Sequence, residues 1–348
     1  MRIGWRGALG ILLGVALLAF TLREVSIAAV WGVLRESDPV LFALATLAGT
    51  LIFPLRARRW QTILEPVADN IPMGPLWRSV AVGMMVTNLV PARAGEFARA
   101  FALTRETRVP FTAAFASVAV DRVFDGIVVL ALLFVAMWDP ALASNASIAG
   151  YSIAQVAKIG SIGAATGLGV LYAIVIAPER WEALFRAVAR RIAPKLEDRG
   201  AALLRTFAEG LAVLRHPGRF AAVLGWTLAH WLLHATAFWL GFKAVGIEVP
   251  LSAALLLQGV IAFSVALPAA PGFFGLFEVA AVAGLALYGV DATVAVSWAL
   301  GFHLLTFLPI TLFGLWYFAR LGMRLGDLRT ESGPAAPPPA APPPAPAR

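Results

Sequence analysis

Charged side chains stand in this chain where an apolar segment should not carry them. Asp121, Arg122 and Asp125 fall inside the long apolar run at 111–138. A charge at the centre of a membrane helix costs about 2.5–3.5 kcal/mol on insertion scales, so three deep and unpaired ones would cost on the order of 8–10 kcal/mol. That is comparable to the stability of a whole domain. The three must therefore be paired, interfacial or facing water. Their spacing permits pairing: Arg122 and Asp125 are i, i+3, and Asp121 and Asp125 are i, i+4, so all three can crowd one side of a helix. The plain reading is an interfacial salt bridge that anchors the helix end. The functional reading is a membrane-embedded site, the default for ionisable residues at that depth.

A second cluster follows Pro91. Arg93, Glu96 and Arg99 open a segment that rises as a helix after Gly95. A helix N-terminus presents free N–H groups and a positive dipole end. Two arginines beside it make a site suited to phosphate. Glu96 would orient those arginines, and Asn88 can cap or hydrogen-bond the broken end. The alternative is a cytoplasmic loop that obeys the positive-inside rule. Glu278 is nearly alone in an apolar stretch, so it is either part of a site or a carboxylate at the outer interface. His230 and His234 are i, i+4, but the glutamate of a zinc-protease helix is missing, so they read as structural. Nothing in the spacing joins Ser264 to His303. No metal and no cofactor is implied. The chain has no cysteine, which excludes disulfides and thiol catalysis.

Two short segments would position these groups, and they rhyme. The first runs Asn88, Pro91, Arg93, Gly95, Glu96. The second runs Pro268, Pro271, Gly272, Gly275, Glu278. Each breaks an apolar run with Pro-x3-Gly and places a carboxylate just beyond. Matching interruptions in two halves of a membrane protein point to a substrate site. The backbone they free is tolerated only where protein or a water-filled cavity satisfies it.

The surrounding elements are membrane helices. Apolar residues make up 60% of the chain and charged residues 14%, about half the share of charge usual in soluble domains. Runs long enough to cross a bilayer predict spans near 4–22, 39–55, 111–138, 153–177, 220–243 and 293–318. The expected fold is all-α: a polytopic helical bundle of about six spans plus two re-entrant or short-helix hairpins, at 76–104 and 252–289. The first span lacks a small-x-small site and reads as uncleaved. Arginine accounts for most of the +8 net charge and flanks the spans, which argues for membrane topology and against nucleic acid. The arginine-rich stretch 178–219, expected to form amphipathic interfacial helices or a plain linker, and both termini read as cytoplasmic. Loops 139–150 and 244–251 read as outside. Two halves, about 1–140 and 150–320, then form an inverted repeat within a membrane domain at 1–322. Residues 323–348 read as a disordered Pro/Ala-rich cytoplasmic tail. The many tryptophans read as interfacial belt residues.

At these residues the chain resembles the lysylphosphatidylglycerol synthase transmembrane-region family, also called flippase-like domain proteins. The matching features are Arg56, Arg58, Arg59 and Trp60 after the second span; Asn88, Pro91, Arg93, Gly95, Glu96 and Arg99; Asp121, Arg122 and Asp125; and Pro268, Pro271, Gly272, Gly275 and Glu278. The resemblance covers roughly residues 5–320. It implies a multi-pass inner-membrane domain that moves an anionic or isoprenoid-type lipid between leaflets. The lipid would be its partner, and Arg58, Asn88, Arg93, Glu96, Arg99, Asp121, Arg122, Asp125 and Glu278 its binding residues. Bifunctional members carry a soluble aminoacyl-transferase domain, and here a proline-rich tail follows instead. Two other classes remain open: an intramembrane enzyme acting on a lipid-linked phosphate, with Asp or Glu as general base, and a scaffold partnered with lipid-synthesis enzymes.

Overall fold

A computed structural model describes residues 26–68, 70–90, 94–142, 147–148, 151–192, 216–264 and 270–323, with isolated positions elsewhere. The first predicted span, Pro91, Arg93, Pro268, the stretch 203–215 and the tail from 324 on lie largely or wholly outside the described residues. The described chain is helical apart from a two-residue antiparallel pairing, Ser147 with Ser152 and Ile148 with Tyr151.

The helices are α1 (Ile27–Glu36), α2 (Pro39–Leu64), α3 (Met73–Leu89), α4 (Ala94–Glu106), α5 (Phe111–Ala136), α6 (Ile153–Ile176), α7 (Pro178–Ile192), α8 (Pro217–Ala244), α9 (Leu251–Ser264), α10 (Leu276–Ala286) and α11 (Ala292–Arg320). A single 3-10 turn, Pro271–Phe273, precedes α10. The five long helices α2, α5, α6, α8 and α11 run 24 to 29 residues. At 1.5 Å per residue they reach about 36–44 Å, enough to cross a bilayer core. Helix starts follow local chemistry. Asp38 caps α2, accepting from the Val40 and Leu41 N–H groups at 2.8 and 3.1 Å, with Pro39 at the first helical position. Asp291 caps α11 the same way through Thr293 and Val294. Those two N–H bonds hold the Asp291 carboxyl below its ordinary pKa.

One expected boundary is wrong. The second span was expected to end at 55, but α2 continues to Leu64 and carries Arg56, Arg58 and Arg59 inside the helix. Charge alone ends a span only when it has to face water. Here Arg59 finds its carboxylate partners within the bundle, so the helix goes on.

Packing shows a regular exchange. α2 lies along α8. α3 packs on α4 and on α11, while α9 packs on α10 and on α5. α4 lies against α5 and α10 against α11. Exchanging α2 with α8, α3 with α9, α4 with α10 and α5 with α11 turns each of these pairings into another of them. The outer faces of α2 and α11 carry exposed Val40, Leu44, Leu47, Leu51, Leu304, Leu308, Leu312 and Phe313. An apolar exterior of that extent suits hydrocarbon contact. The core contains tryptophan, contrary to the belt expectation. Trp298 is fully buried among Phe238, Phe242, Phe277 and Phe302, and Trp60 is fully buried too. Among the described tryptophans, Trp31, Trp138 and Trp316 are the exposed ones.

Candidate functional site

The α2 residues that turn inward are set by the helical period. Arg56, Arg59, Trp60 and Ile63 recur at three- and four-residue spacing and share one side. Arg58 falls on the other. It is exposed, hydrogen-bonds Gln61 and lies 5.8 Å from the Trp226 ring. It sits at the rim of an open apolar cleft of about 510 Å3 lined by Leu51, Pro54, Leu55, Met73 and Leu233. Arg58 thus stands outside the charged cluster, and Arg59 is the α2 residue that enters it.

Arg59 is completely buried. Its Nη2 reaches Asp121 Oδ1 at 2.6 Å and its Nη1 reaches Asp125 Oδ1 at 2.5 Å. The i, i+4 spacing of the two aspartates on α5 is what lets one guanidinium meet both. Arg99 of α4 takes the second oxygen of Asp121 at 2.7 Å. Its guanidinium stacks 4.0 Å above the Trp60 ring, and the Trp60 indole donates to Ser117 at 2.8 Å. Arg122 is exposed. It closes the network toward the outside, with Glu96 at 3.2 Å, Asp121 at 3.4 Å and Asp125 at 3.3 Å. The second half contributes through α8. The Trp231 indole donates to Asp125 Oδ1 at 3.0 Å, and the Thr227 hydroxyl lies 3.3 Å from Arg59 Nη1. His230 stands 4.0 Å from the same carboxylate, and His234 meets Gln258 at 3.3 Å.

Four arginines thus converge with three carboxylates: Arg56, Arg59, Arg99 and Arg122 against Glu96, Asp121 and Asp125. The fourth arginine is the unusual one. Arg56 makes no ion pair among the described residues; Nη1 faces only the Met84 sulfur at 3.5 Å, and its Nε is buried without a partner. Three further donors, Arg59 Nε and Arg99 Nε and Nη2, are buried and unmatched. Buried guanidinium donors are normally satisfied. Four unspent donors beside a net positive cluster form a place where an anion can be held.

The breaks frame this cluster. A side chain on Gly95 would overlap the Thr87 hydroxyl and the Gly83 carbonyl, so only glycine lets α4 lie this close on α3. Arg78 of α3 closes the far end of that hairpin by pairing with Glu106. Among the described residues, Asn88 bonds across to another helix. Its amide donates to the Thr311 hydroxyl of α11 at 2.7 Å, and so ties α3 to α11.

Residues 7–314 match the lysylphosphatidylglycerol synthase TM region family. The chain belongs to that family. It is 27% identical over 296 residues to the glycosyltransferase AglD of Haloferax volcanii, covering 78% of this chain and 47% of that protein. It therefore spans about half the length of this curated relative. It is also 26% identical over 300 residues to a UPF0104 membrane protein of Methanothermobacter thermautotrophicus, covering 81% of this chain and 84% of that one. A shorter match to a UPF0104 membrane protein of the same organism is 31% identical over 122 residues. A membrane protein of this family is what the apolar exterior and the charged interior describe.

In the second half of the family domain, Glu278 is fully buried but has partners, contrary to its apparent isolation in the sequence. One oxygen accepts the Gly275 N–H at 2.6 Å and the other lies 2.8 Å from His303 Nδ1. By sequence alone, His303 is set only beside Ser264; its partner is Glu278, 25 residues away, and no local spacing marks that pair. The hydroxyl of Ser264 turns to the Val260 carbonyl instead. Arg56 and Arg59 carried a signal: their three-residue spacing with Trp60 marks the inward side of α2.

Proposed function

We propose that this protein moves an anionic, phosphate-bearing or isoprenoid-type lipid between the leaflets of the bacterial inner membrane. One observation carries the reading: the buried guanidinium donors of Arg56 and Arg99 are unspent, beside an arginine–carboxylate network inside an apolar bundle. A phosphate oxygen suits those donors, and charge-assisted bonds of that kind are the strong ones. Glu96, Asp121 and Asp125 keep the arginines placed while the site is empty. The open cleft beside Arg58 and Trp226 suits the lipid's apolar chains.

The packing exchange between α2–α5 and α8–α11 supports an inverted repeat, with the two broken hairpins entering from opposite faces. Both termini are then cytoplasmic. The glycosyltransferase name of the Haloferax relative belongs to a protein about twice as long as the matched region, so that activity is not carried over to this chain.

The test is transport in reconstituted vesicles that carry a fluorescent anionic lipid. Arg56→Ala removes an arginine that no carboxylate needs, so the protein folds and loses transport. Arg56→Lys gives partial activity at most, because a lysine cannot offer the forked donors. Transport by Arg56→Ala at the native rate removes the assignment.

A further inference from the structure

The second break holds a proton-binding site that the arginine network does not use. His303 Nε2 lies 2.9 Å from the Gly272 carbonyl oxygen. A carbonyl only accepts, so Nε2 carries hydrogen. His303 Nδ1 lies 2.8 Å from Glu278 Oε1. That contact also needs a hydrogen, and it has two sources. Either Nδ1 is protonated and the pair is imidazolium and carboxylate, or Oε1 is protonated and donates to a neutral ring. In both cases the pair holds one proton beyond what neutral imidazole and carboxylate hold together. Without it, a carboxylate would face the lone pair of Nδ1 in a buried site, which is repulsive.

The surroundings keep this proton local. Phe274 stacks on the His303 ring at 4.3 Å and Phe277 lies at 4.5 Å. The helices packed on α10 are α9 and α11. α9 carries no titratable residue. Tyr317 and Arg320 of α11 turn to Trp77 and Trp316. On the elements that pack against α11, Arg78 of α3 is paired with Glu106, the arginines of α2 face the network or the Arg58 cleft, and His230 and His234 of α8 turn to Asp125 and Gln258. On α1, Arg35 and Glu36 stand at its C-terminal end, and Lys243 of α8 pairs with Glu248.

We propose that the proton shared by Glu278 and His303 latches the second break, and that its loss releases the Gly272 segment from α11. The latch acts on strained backbone. Gly272, Phe273 and Gly275 have φ of 67°, 63° and 87°, and a phenylalanine in that region is a genuine outlier. Such strain persists only while surrounding bonds over-determine it. Gly272 is also the residue that meets the first break, where a β-carbon would stand 3.3 Å from the Asn88 carbonyl. A protonation change at His303 therefore alters the junction of the two hairpins. The proton site stands whatever ligand the arginine network takes.

The experiment is 15N NMR of histidine-labelled full-length protein in lipid bilayers between pH 5 and 9. The chain has four histidines, and His303→Gln assigns the relevant signals. The expected result is that, as pH rises, the one hydrogen left on the ring moves from Nε2 to Nδ1, where it faces the Glu278 carboxylate, and the Nε2–H bond to the Gly272 carbonyl is lost. Glu278→Gln should abolish the change, because its amide donates to Nδ1 without titrating and so leaves the hydrogen on Nε2. A bimane on Leu89→Cys, beside the junction, should change emission with the same midpoint and stay flat in Glu278→Gln. An unchanged native His303 signal, an unchanged native bimane emission or an equal titration in Glu278→Gln overturns the proposal. The native titrations need no folded Glu278 variant. Lipid transport is not read in this experiment, so failure of the latch and failure of the transport reading are distinguishable.

Discussion

The backbone of Gly272 lies against the carbonyl of Asn88, so the two broken segments meet inside the protein. They are 184 positions apart in the chain and belong to different hairpins. The 3-10 turn at Pro271–Phe273 rests on α3 at this point, and the Asn88 side chain is held from α11 through Thr311. Free backbone at such breaks is tolerated within a membrane only where protein or a water-filled cavity covers it.

Gly272→Ala should destabilise the protein at this junction. The residue's φ of 67° costs an L-residue about 1–2 kcal/mol. Its new methyl would also press on Phe307 at 2.8 Å and on the Asn88 carbonyl at 3.3 Å. Gly289 is the control: its φ is 73°, and nothing stands within 4 Å of the added carbon. Thermal unfolding in detergent should show a larger loss for Gly272→Ala than for Gly289→Ala. Equal losses would mean that the junction is not tightly packed.

Arg59→Ala should be a folding defect and not a selective transport defect. It takes from Asp121 and Asp125, both buried, their closest shared partner and leaves them to Arg99 and the exposed Arg122. Removing one member of a buried pair costs about 3–5 kcal/mol. Arg59→Ala should therefore reduce the yield of folded protein, and Asp121→Asn added to it should recover part of the loss. Arg56→Ala, with no carboxylate to strand, should leave yield and thermal midpoint near native. A stable Arg59→Ala protein would remove its bridging role.

Much of the fold was legible because apolar run length is a strong signal. The ends of α5, α6, α8 and α11 fall within three residues of the expected spans. The error at α2 is instructive. Arg56, Arg58 and Arg59 looked like the positive end of a span, since a sequence shows charge but not the partner 60 residues away that neutralises it. Period-3.6 reasoning along α2 would have separated Arg59 from Arg58. No local pattern could have joined Glu278 to His303, because that pair exists only through the packing of α10 on α11. The tryptophans show the same limit: Trp60 and an exposed Trp138 are indistinguishable until their neighbours are known.

Asp291→Ala should shorten or loosen the start of α11. The carboxylate accepts the Thr293 and Val294 N–H groups, and loss of such a cap costs about 1 kcal/mol. The pH dependence has a definite sign. The pKa is lowered in the folded protein, so the contribution is full above the ordinary carboxylate range and fades as pH falls through the lowered value. The native and Asp291→Ala proteins should therefore differ in thermal midpoint at neutral pH and converge under strongly acidic conditions. A gap that stays constant with pH would assign the effect to something other than the charged cap.

Topology gives the last prediction. On the proposed inverted arrangement, the C-terminal end of α5 faces outward and α7 lies on the cytoplasmic side. The motive is charge: α7 carries Arg180, Arg186, Arg190 and Arg191, while the chain from Trp138 to Ser152 carries Asp139 and no lysine or arginine. α7 is also amphipathic in sequence, with Leu184, Val188 and Ile192 exposed along one side and Arg186 held by Glu182 and Asp198 on another. A helix of that kind lies in the interface plane, where its arginines meet anionic headgroups. The chain has no cysteine, so single cysteines report without background. Trp138→Cys, at a position 80% exposed, should react in intact cells with a reagent that cannot cross the membrane. Arg190→Cys should react only after the membrane is opened. The reverse pattern would invert the protein and place the arginine-rich helix outside. Labelling of both sites from outside would break the span between them and with it the inverted repeat.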